Sequence, residues 1–283
     1  MNILFFLFKT SRYRFWLYLG GTYLIGYAFG ASAIQSFMAF PFWLFLFYFL
    51  IPANIFLYGV NDYYDEDTDQ KNPKKGSKEH KLVSNEKNIL KKTVVVIGLL
   101  SVLLGFWVLT DGVARVLFGL FLFLSLFYSA LPLRFKAHPM IDAASNILYG
   151  IPGFLGYYQV SGIVPPLWVI VAVWCWTAAM HLFSAIPDIA YDKKAHLQTT
   201  AVVLGKDLTL IVCLVLWSLC SILVLMYHDN SRWAIVSMVY PLIPLFLLYR
   251  EDKAIKKMYW FYPILNAFFG FCLFSIAIHR LYG

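Results

Sequence analysis

An all-α, polytopic membrane protein with nine transmembrane helices is the fold class this sequence predicts. Composition is the first reason. Of 283 residues, 61% are hydrophobic and only 13% are charged, where a soluble domain carries about 25% charged residues. The mean hydropathy is +0.69. Spacing is the second reason, because apolar runs of the roughly 20 residues that a helix needs to cross a bilayer recur along the whole chain. Charge placement is the third, and it tests the other two.

The runs lie at 15–34, 40–60, 93–110, 113–131, 142–162, 165–186, 207–227, 232–249 and 259–280. The N-terminal MNILFFLFKTSRYR has a short apolar patch but no small-residue cleavage site, so it does not read as a cleaved signal peptide. The second run starts beside Pro41 and carries no charge from Phe40 to Val60. Thr110–Asp111–Gly112 is the least marked boundary, between the third and fourth runs. Pro139 precedes the fifth run, and Pro165 with Pro166 separates the fifth from the sixth. No fixed-period repeat is visible and little length is left over, so 1–283 reads as a single transmembrane domain. The four cysteines, Cys175, Cys213, Cys220 and Cys272, sit in apolar spans without a close CxxC pair, which indicates neither zinc nor a disulfide framework.

With the N-terminus inside, nine spans put 1–14, 61–92, 132–141, 187–206 and 250–258 on the cytoplasmic side and the C-terminus outside. Those segments hold 20 of the 23 Lys and Arg residues, with only Arg115, Arg232 and Arg280 elsewhere. That is the positive-inside asymmetry, and it was not used to place the spans. It also accounts for the net charge of +8 without a nucleic-acid partner; membrane lipids are the surrounding phase. The expected location is the cytoplasmic (inner) membrane. The 61–92 segment holds 8 basic and 7 acidic residues in 32. It reads equally as a solvated loop near anionic headgroups and as a cationic cover over an anionic ligand.

Two acidic clusters stand at cytoplasmic span ends. Asn61–Asp69, NDYYDEDTD, contains Asp62, Asp65, Glu66, Asp67 and Asp69. If the preceding helix continues through it, Asn61, Asp62, Asp65 and Asp69 share one stripe. Glu66 and Asp67 fall off that stripe. In the second cluster, Asp188 and Asp192 are i,i+4, with Ser184 and His181 one and two turns earlier on the same face. Acids at the membrane boundary are costly and therefore functional candidates. Oxygen-rich stripes suit Mg²⁺ (or Mn²⁺), which is held by a few carboxylates plus substrate phosphates.

Between the clusters lies FYSALPLRFKAHPM, with Arg134 and Lys136 after a Pro-interrupted helix end and Tyr128 nearby. Positive-inside anchoring explains the two cations when they are taken alone. Beside two acidic platforms they also fit phosphate oxygens. Acids holding Mg²⁺ and cations holding the remaining oxygens make a pyrophosphate site. At a membrane boundary the matching ligand is an isoprenyl diphosphate, head in water and tail among apolar helices. Loss of pyrophosphate would leave an allylic cation that aromatic rings stabilise. Asn54, His181 and Ser184 are pocket candidates, although hydrogen bonds to neighbouring helices explain Asn54 and His181 as well. Asp142 is expected to pair with Arg134 or Lys136.

These residues resemble the UbiA superfamily of intramembrane prenyltransferases. NDYYDEDTD matches its NDxxDxxxD motif, Asp188 and Asp192 its DxxxD motif, and Tyr128, Ser129, Pro132, Arg134 and Lys136 its YSxxPxRxK-like loop. The resemblance implies a helical bundle around a central cavity opening to the cytoplasmic side. It implies a catalytic set of Asp62, Asp65, Asp188, Asp192 and Tyr128, and metal ligation by Asn61, Asp62, Asp65, Asp69, Asp188 and Asp192. Arg134 and Lys136 would bind the diphosphate. SRYRFWLYLGG, IPANIFLYGVNDYYD, AMHLFSAIPDIAYD and TTAVVLG are similar to the lycopene elongase subgroup, which implies dimethylallyl diphosphate as donor and lycopene as acceptor, towards C45 and C50 carotenoids. Two departures stand out: Tyr13 where that subgroup commonly has Pro, and His196 where a Gly is usual. Other lipophilic acceptors, a quinone precursor among them, remain open, and the scarcity of deep polar side chains favours an apolar one. The competing class is a cation-coupled transporter, but its acids would lie near midplane and between repeats.

Overall fold

The computed structural model describes residues 3–65, 84–227 and 235–282, and all secondary structure among them is helical. The helices are α1 (Ile3–Thr10), α2 (Trp16–Gly30), α3 (Phe40–Leu50), α4 (Pro52–Tyr64), α5 (Ser84–Val108) and α6 (Gly112–Phe127). They continue with α7 (Ile141–Ala144), α8 (Ile151–Ser161), α9 (Leu167–Ala185), α10 (Ile189–Lys194), α11 (Thr200–Tyr227), α12 (Val239–Leu247) and α13 (Asp252–Tyr282). Helix lies, wholly or in part, within each of the nine expected apolar runs. Among the described residues, five stretches are long and apolar enough to cross a membrane: Phe40–Tyr64, Glu86–Val108, Leu167–Lys194, Thr200–Met226 and Asp252–Tyr282.

Several runs are broken where the chain requires it. Pro52 has no N–H and its ring opposes the preceding turn, so the second run is two helices meeting at Ile51 (φ −121°, ψ −68°). Thr110–Asp111–Gly112 does separate two helices. Asp111 caps α6, its Oδ1 accepting the N–H groups of Val113 (2.7 Å) and Ala114 (3.3 Å). The fifth run is not one helix but α7, a 3-10 stretch Ser145–Tyr149 and α8. The seventh starts earlier than expected, at Thr200, and is kinked at Gly205 (φ 73°).

The chain forms two compact units. One comprises Met1–Arg134, Ile151–Val164 and Gly270–Gly283. Its core is aromatic, with Tyr23, Phe42, Phe45, Phe49, Phe118 and Phe121 all buried. Tyr23 and Phe49 ring centroids lie 5.4 Å apart, and Phe49 and Phe121 5.3 Å. Here α2 and α8 touch backbone to backbone. A Cβ on Gly26 would stand 1.9 Å from the Gly153 carbonyl oxygen, and one on Gly156 would stand 2.5 Å from that of Tyr23. Small residues allow this approach between membrane helices, and the Tyr23 hydroxyl donates to Gln159 across it at 2.9 Å. Phe56, Val60 and Ala130 form a further buried cluster against Val94, Ile97, Leu122 and Leu126, which seats the end of α4.

The second unit comprises Phe135–Gly150 and Pro165–Phe269. Phe183, Trp217 and Tyr262 form its aromatic centre, with Phe183 and Tyr262 centroids 5.4 Å apart. The α9–α11 pair is close enough for the Cys213 thiol to donate to the Ala179 carbonyl at 3.4 Å.

Candidate active site

The first acidic motif begins inside α4 and ends it. Helix geometry persists to Tyr64, and Asp65 is the cap, its N–H still bonded to the Asn61 carbonyl at 3.0 Å. The expected continuous stripe therefore holds for Asn61, Asp62 and Asp65; Asp69, with Glu66 and Asp67, lies outside the described residues. Asp62 and Asp65 are 4% and 6% exposed, a burial that carboxylates tolerate only with partners.

Those partners come from distant segments of the same unit. The Arg12 guanidinium donates from Nη2 to Asp62 Oδ1 at 2.7 Å and lies over the Tyr58 ring at 4.6 Å. Arg134 Nη2 lies 3.8 Å from Asp65 Oδ1. The Ser129 hydroxyl donates to Asn61 Oδ1 at 2.9 Å. Arg12 (φ 48°) and Arg134 (φ 37°) both hold left-handed backbone, which is uncommon for long side chains and clusters at functional sites. Arg134 Nε is buried without a hydrogen-bond partner among the described residues. Tyr128 follows directly on α6, its N–H on the Leu124 carbonyl at 2.9 Å. Arg12 is the residue that sequence reasoning missed; its only signal was position in the basic N-terminal segment, which lipid anchoring explains equally.

The second motif lies in the other unit, and its helix is not continuous. Pro187 removes an amide donor, so the chain tightens into a 3-10 turn, Ile186–Asp188, between α9 and α10. Asp188 then caps α10 and Asp192 lies within it. The helical face expected to run unbroken from His181 to Asp192 is interrupted there. Beyond Asp192 the helix stops in a Schellman motif. Leu197 N–H bonds the Asp192 carbonyl at 2.9 Å and His196 N–H that of Lys193 at 3.2 Å. His196 holds φ 57°, the conformation a Gly adopts without cost.

Asp142 departs from expectation. Arg134 is engaged with Asp65, and Asp142, fully buried, is held by Thr200 and Ala143. The Thr200 N–H donates to Oδ2 at 2.8 Å, the Thr200 hydroxyl to Oδ1, and the Ala143 N–H to Oδ1 at 2.8 Å. His181 Nε2 stands 3.6 Å from Oδ2. Lys136, in the 3-10 turn Phe135–Ala137, is 8% exposed.

The pocket candidates are engaged by protein. The Asn54 amide donates to the Phe49 (2.8 Å) and Leu50 (3.0 Å) carbonyls that Pro52 leaves open at the end of α3, and its side chain is fully buried. Its Oδ1 is buried without a hydrogen-bond partner among the described residues. Ser184 bonds back to the His181 carbonyl at 2.7 Å. Among the other deep polar groups, Asn146 donates to the Asp142 carbonyl at 2.5 Å and Asn266 accepts from Tyr240 at 2.8 Å.

Among the described residues no three His, Cys, Asp or Glu side chains cluster into a metal cage. The donor set at the end of α4 nevertheless fits Mg²⁺. It offers amide and carboxylate oxygens only, and this ion keeps much of its shell for water and substrate phosphate.

A multi-pass, all-helical membrane protein with buried acids met by arginines is thus defined, of the class that transfers groups from lipid diphosphates. The chain belongs to the UbiA prenyltransferase family, whose pattern matches residues 19–275. It is 38% identical over 266 residues to a lycopene elongase/hydratase of Halobacterium salinarum, covering 94% of each chain. It is 39% identical over 277 residues to one of Haloferax volcanii, covering 98% of this chain and 89% of that one. Its fold is similar to that of a UbiA homologue from Archaeoglobus fulgidus bound to DMAPP and Mg²⁺. That match has a TM-score of 0.71 at 22% identity, over 95% of this chain and 99% of that one.

Proposed function

We propose that this chain transfers the isoprenyl group of dimethylallyl diphosphate to lycopene, with Mg²⁺, at a site on the cytoplasmic side of a single nine-span transmembrane domain. The observation that carries the acceptor is the likeness, along nearly the whole chain, to relatives named lycopene elongase/hydratase. The protein's own chemistry agrees. The deep polar side chains Asn146, Ser184 and Asn266, and the amide nitrogen of Asn54, are engaged by protein partners, so little remains to orient a hydroxylated or carboxylated acceptor.

In this reading Asn61, Asp62, Asp65 and Asp69 serve as metal ligands, and so do Asp188 and Asp192. Mg²⁺ bound there would neutralise charge that builds on the departing pyrophosphate. Arg134 and Lys136 take up diphosphate oxygens, with Tyr128 beside them. Arg12, lying over the Tyr58 ring, is a positioning residue that holds Asp62. The donor C–O bond breaks, and its electron pair leaves with pyrophosphate. The terminal C=C of the acceptor supplies the pair for the new C–C bond, and the cation left on its other carbon is discharged by loss of a neighbouring C–H proton or by addition of water with loss of a proton.

The test is the purified full chain in detergent with dimethylallyl diphosphate and lycopene, following pyrophosphate release and pigment mass. Elongated carotenoid that disappears with EDTA and returns with Mg²⁺ is the expected result. Undiminished turnover after thorough chelation overturns the metal assignment. Pyrophosphate release with an aromatic acceptor but not with lycopene overturns the acceptor.

A further inference from the structure

Two buried oxygens in the first unit play no part in prenyl transfer as just described. Asn54 Oδ1 and Ser125 Oγ are without a hydrogen-bond partner among the described residues, and their residues are 0% and 1% exposed. Buried polar atoms are nearly always paired, so each exception asks for an explanation. The Asn54 amide cannot simply be turned around. Its nitrogen donates to both the Phe49 and the Leu50 carbonyl, at 2.8 and 3.0 Å. An amide with both N–H groups so engaged has its oxygen at the opposite end, and that oxygen becomes a stronger acceptor. Two contacts fix the level of these atoms. Phe49 packs on Phe121 with ring centroids 5.3 Å apart, and at the acidic end the Ser129 hydroxyl bonds Asn61 at 2.9 Å. Between those levels α4 supplies Asn54, and α6 supplies Ser125, one turn after Phe121 and one turn before Ser129. Helix α4 is unbroken from Pro52 to Tyr64. Seven residues make almost two whole turns, so Asn54 falls on the stripe of Asn61, about 10 Å deeper along the helix.

We infer that Asn54, with Ser125, is a polar floor to the site of the donor's tail and restricts the donor to one isoprene unit. The inference rests on the reading above, in which Asn61 and Asp65 hold metal and Arg134 holds the diphosphate. The isoprenyl chain then starts beside Asn61 and runs down the α4 stripe, away from the acidic end. One extended isoprene unit, four C–C bonds long, covers about 5 Å. It ends near the level of Ser125 and short of Asn54, whereas a second unit reaches Asn54. Beside a C5 tail, a water can bond the Asn54 oxygen. A C10 tail displaces that water and offers only C–H groups in exchange, which loses affinity. Neither residue touches the bond that breaks; together they set which tail fits.

The experiment uses the purified full chain with Mg²⁺ and lycopene. It compares kcat/KM for dimethylallyl and geranyl diphosphate, read as pyrophosphate release and pigment mass. Wild type should favour the C5 donor at least about tenfold, in keeping with the cost of stranding a buried polar atom. Asn54→Leu puts an apolar group of similar shape in place of the amide and should remove most of that preference. Ser125→Ala should reduce it by a smaller factor. Taking a ratio cancels changes in overall rate: an asparagine needed only to hold α3 against α4 would lower turnover of both donors in the same proportion. An unchanged preference in Asn54→Leu therefore overturns the assignment. Should that variant fail to fold, Ser125→Ala decides in its place, because it gives up no hydrogen bond among the described residues, and an unchanged preference there overturns the assignment equally. Wild type that uses both donors equally well overturns the inference and leaves metal-dependent prenyl transfer standing. Wild type that releases pyrophosphate from neither donor overturns the function proposed above, and this inference with it.

Discussion

Arg12 and Asp62, fifty residues apart in the chain, are joined by a 2.7 Å charged hydrogen bond in a site where Asp62 is almost wholly buried. An acid buried at a membrane helix end is costly unless it is paired. The arginine supplies the pairing. Breaking a buried pair strands a charge.

Arg12→Gln should therefore cost roughly 1.5–3 kcal/mol of stability, the range for a hydrogen bond to a charged group. Asp62→Asn combined with it should recover part of the loss, since the two residues act on one interaction. Unfolding midpoints of the two single variants and the double variant in detergent provide the measurement. Strict additivity would show that the pair contributes nothing.

Arg134→Lys keeps the positive charge but gives up the planar fork. If Arg134 only anchors its loop, Arg134→Lys with Lys136→Arg should be silent. As a diphosphate ligand, its loss is worth on the order of tenfold to a hundredfold in the donor's kcat/KM. Steady-state kinetics with donor and acceptor varied separately should place the effect on the donor. Wild-type donor kinetics would return Arg134 to topology.

Gly26→Ala should destabilise the protein by about 1–3 kcal/mol or more, the range for overpacking. The added Cβ would meet the Gly153 carbonyl oxygen at 1.9 Å, and a backbone cannot step aside as a side chain can. Thermal unfolding checks this, and Gly112→Ala is the control, because a Cβ there meets nothing within 4 Å.

His196→Gly should stabilise the protein by up to about 1 kcal/mol. A non-Gly residue at φ 57° carries a penalty of roughly 1–2 kcal/mol, from which the greater unfolded-state freedom of Gly subtracts. His196→Val should destabilise, because a β-branched residue tolerates that conformation least. Unfolding midpoints of the two variants should move in opposite directions.

Asp111 should make stability fall in acid. Its carboxyl is held below the usual carboxylate range, first by the Tyr158 hydroxyl and then by the Val113 N–H. A depressed folded-state value means the contribution is present above the unfolded carboxylate range and disappears as pH falls through the folded one. Tyr158→Phe should flatten that part of the stability–pH curve, and a curve identical to wild type would assign the effect to other acids.

Much of this protein is legible in one dimension. Apolar run length, the breakers and the placement of Lys and Arg determine an all-helical membrane protein, because each is a local consequence of burying backbone in lipid. The acid motifs announce a site by charge alone, since charge at a membrane boundary is rare. Tertiary structure decided what those charges meet. Arg12 reaches Asp62 from another helix, and Asp142 is claimed by Thr200 and His181 rather than by the cations nearest to it in sequence. Pairings over such separations depend on how helices pack, and packing here turns on contacts such as Gly26 against Gly153, whose close approach no local pattern encodes. The break at Pro52 was visible as a residue type. That the Asn54 amide nitrogen would bond the carbonyls it leaves open could be decided only once the two helices had a geometry.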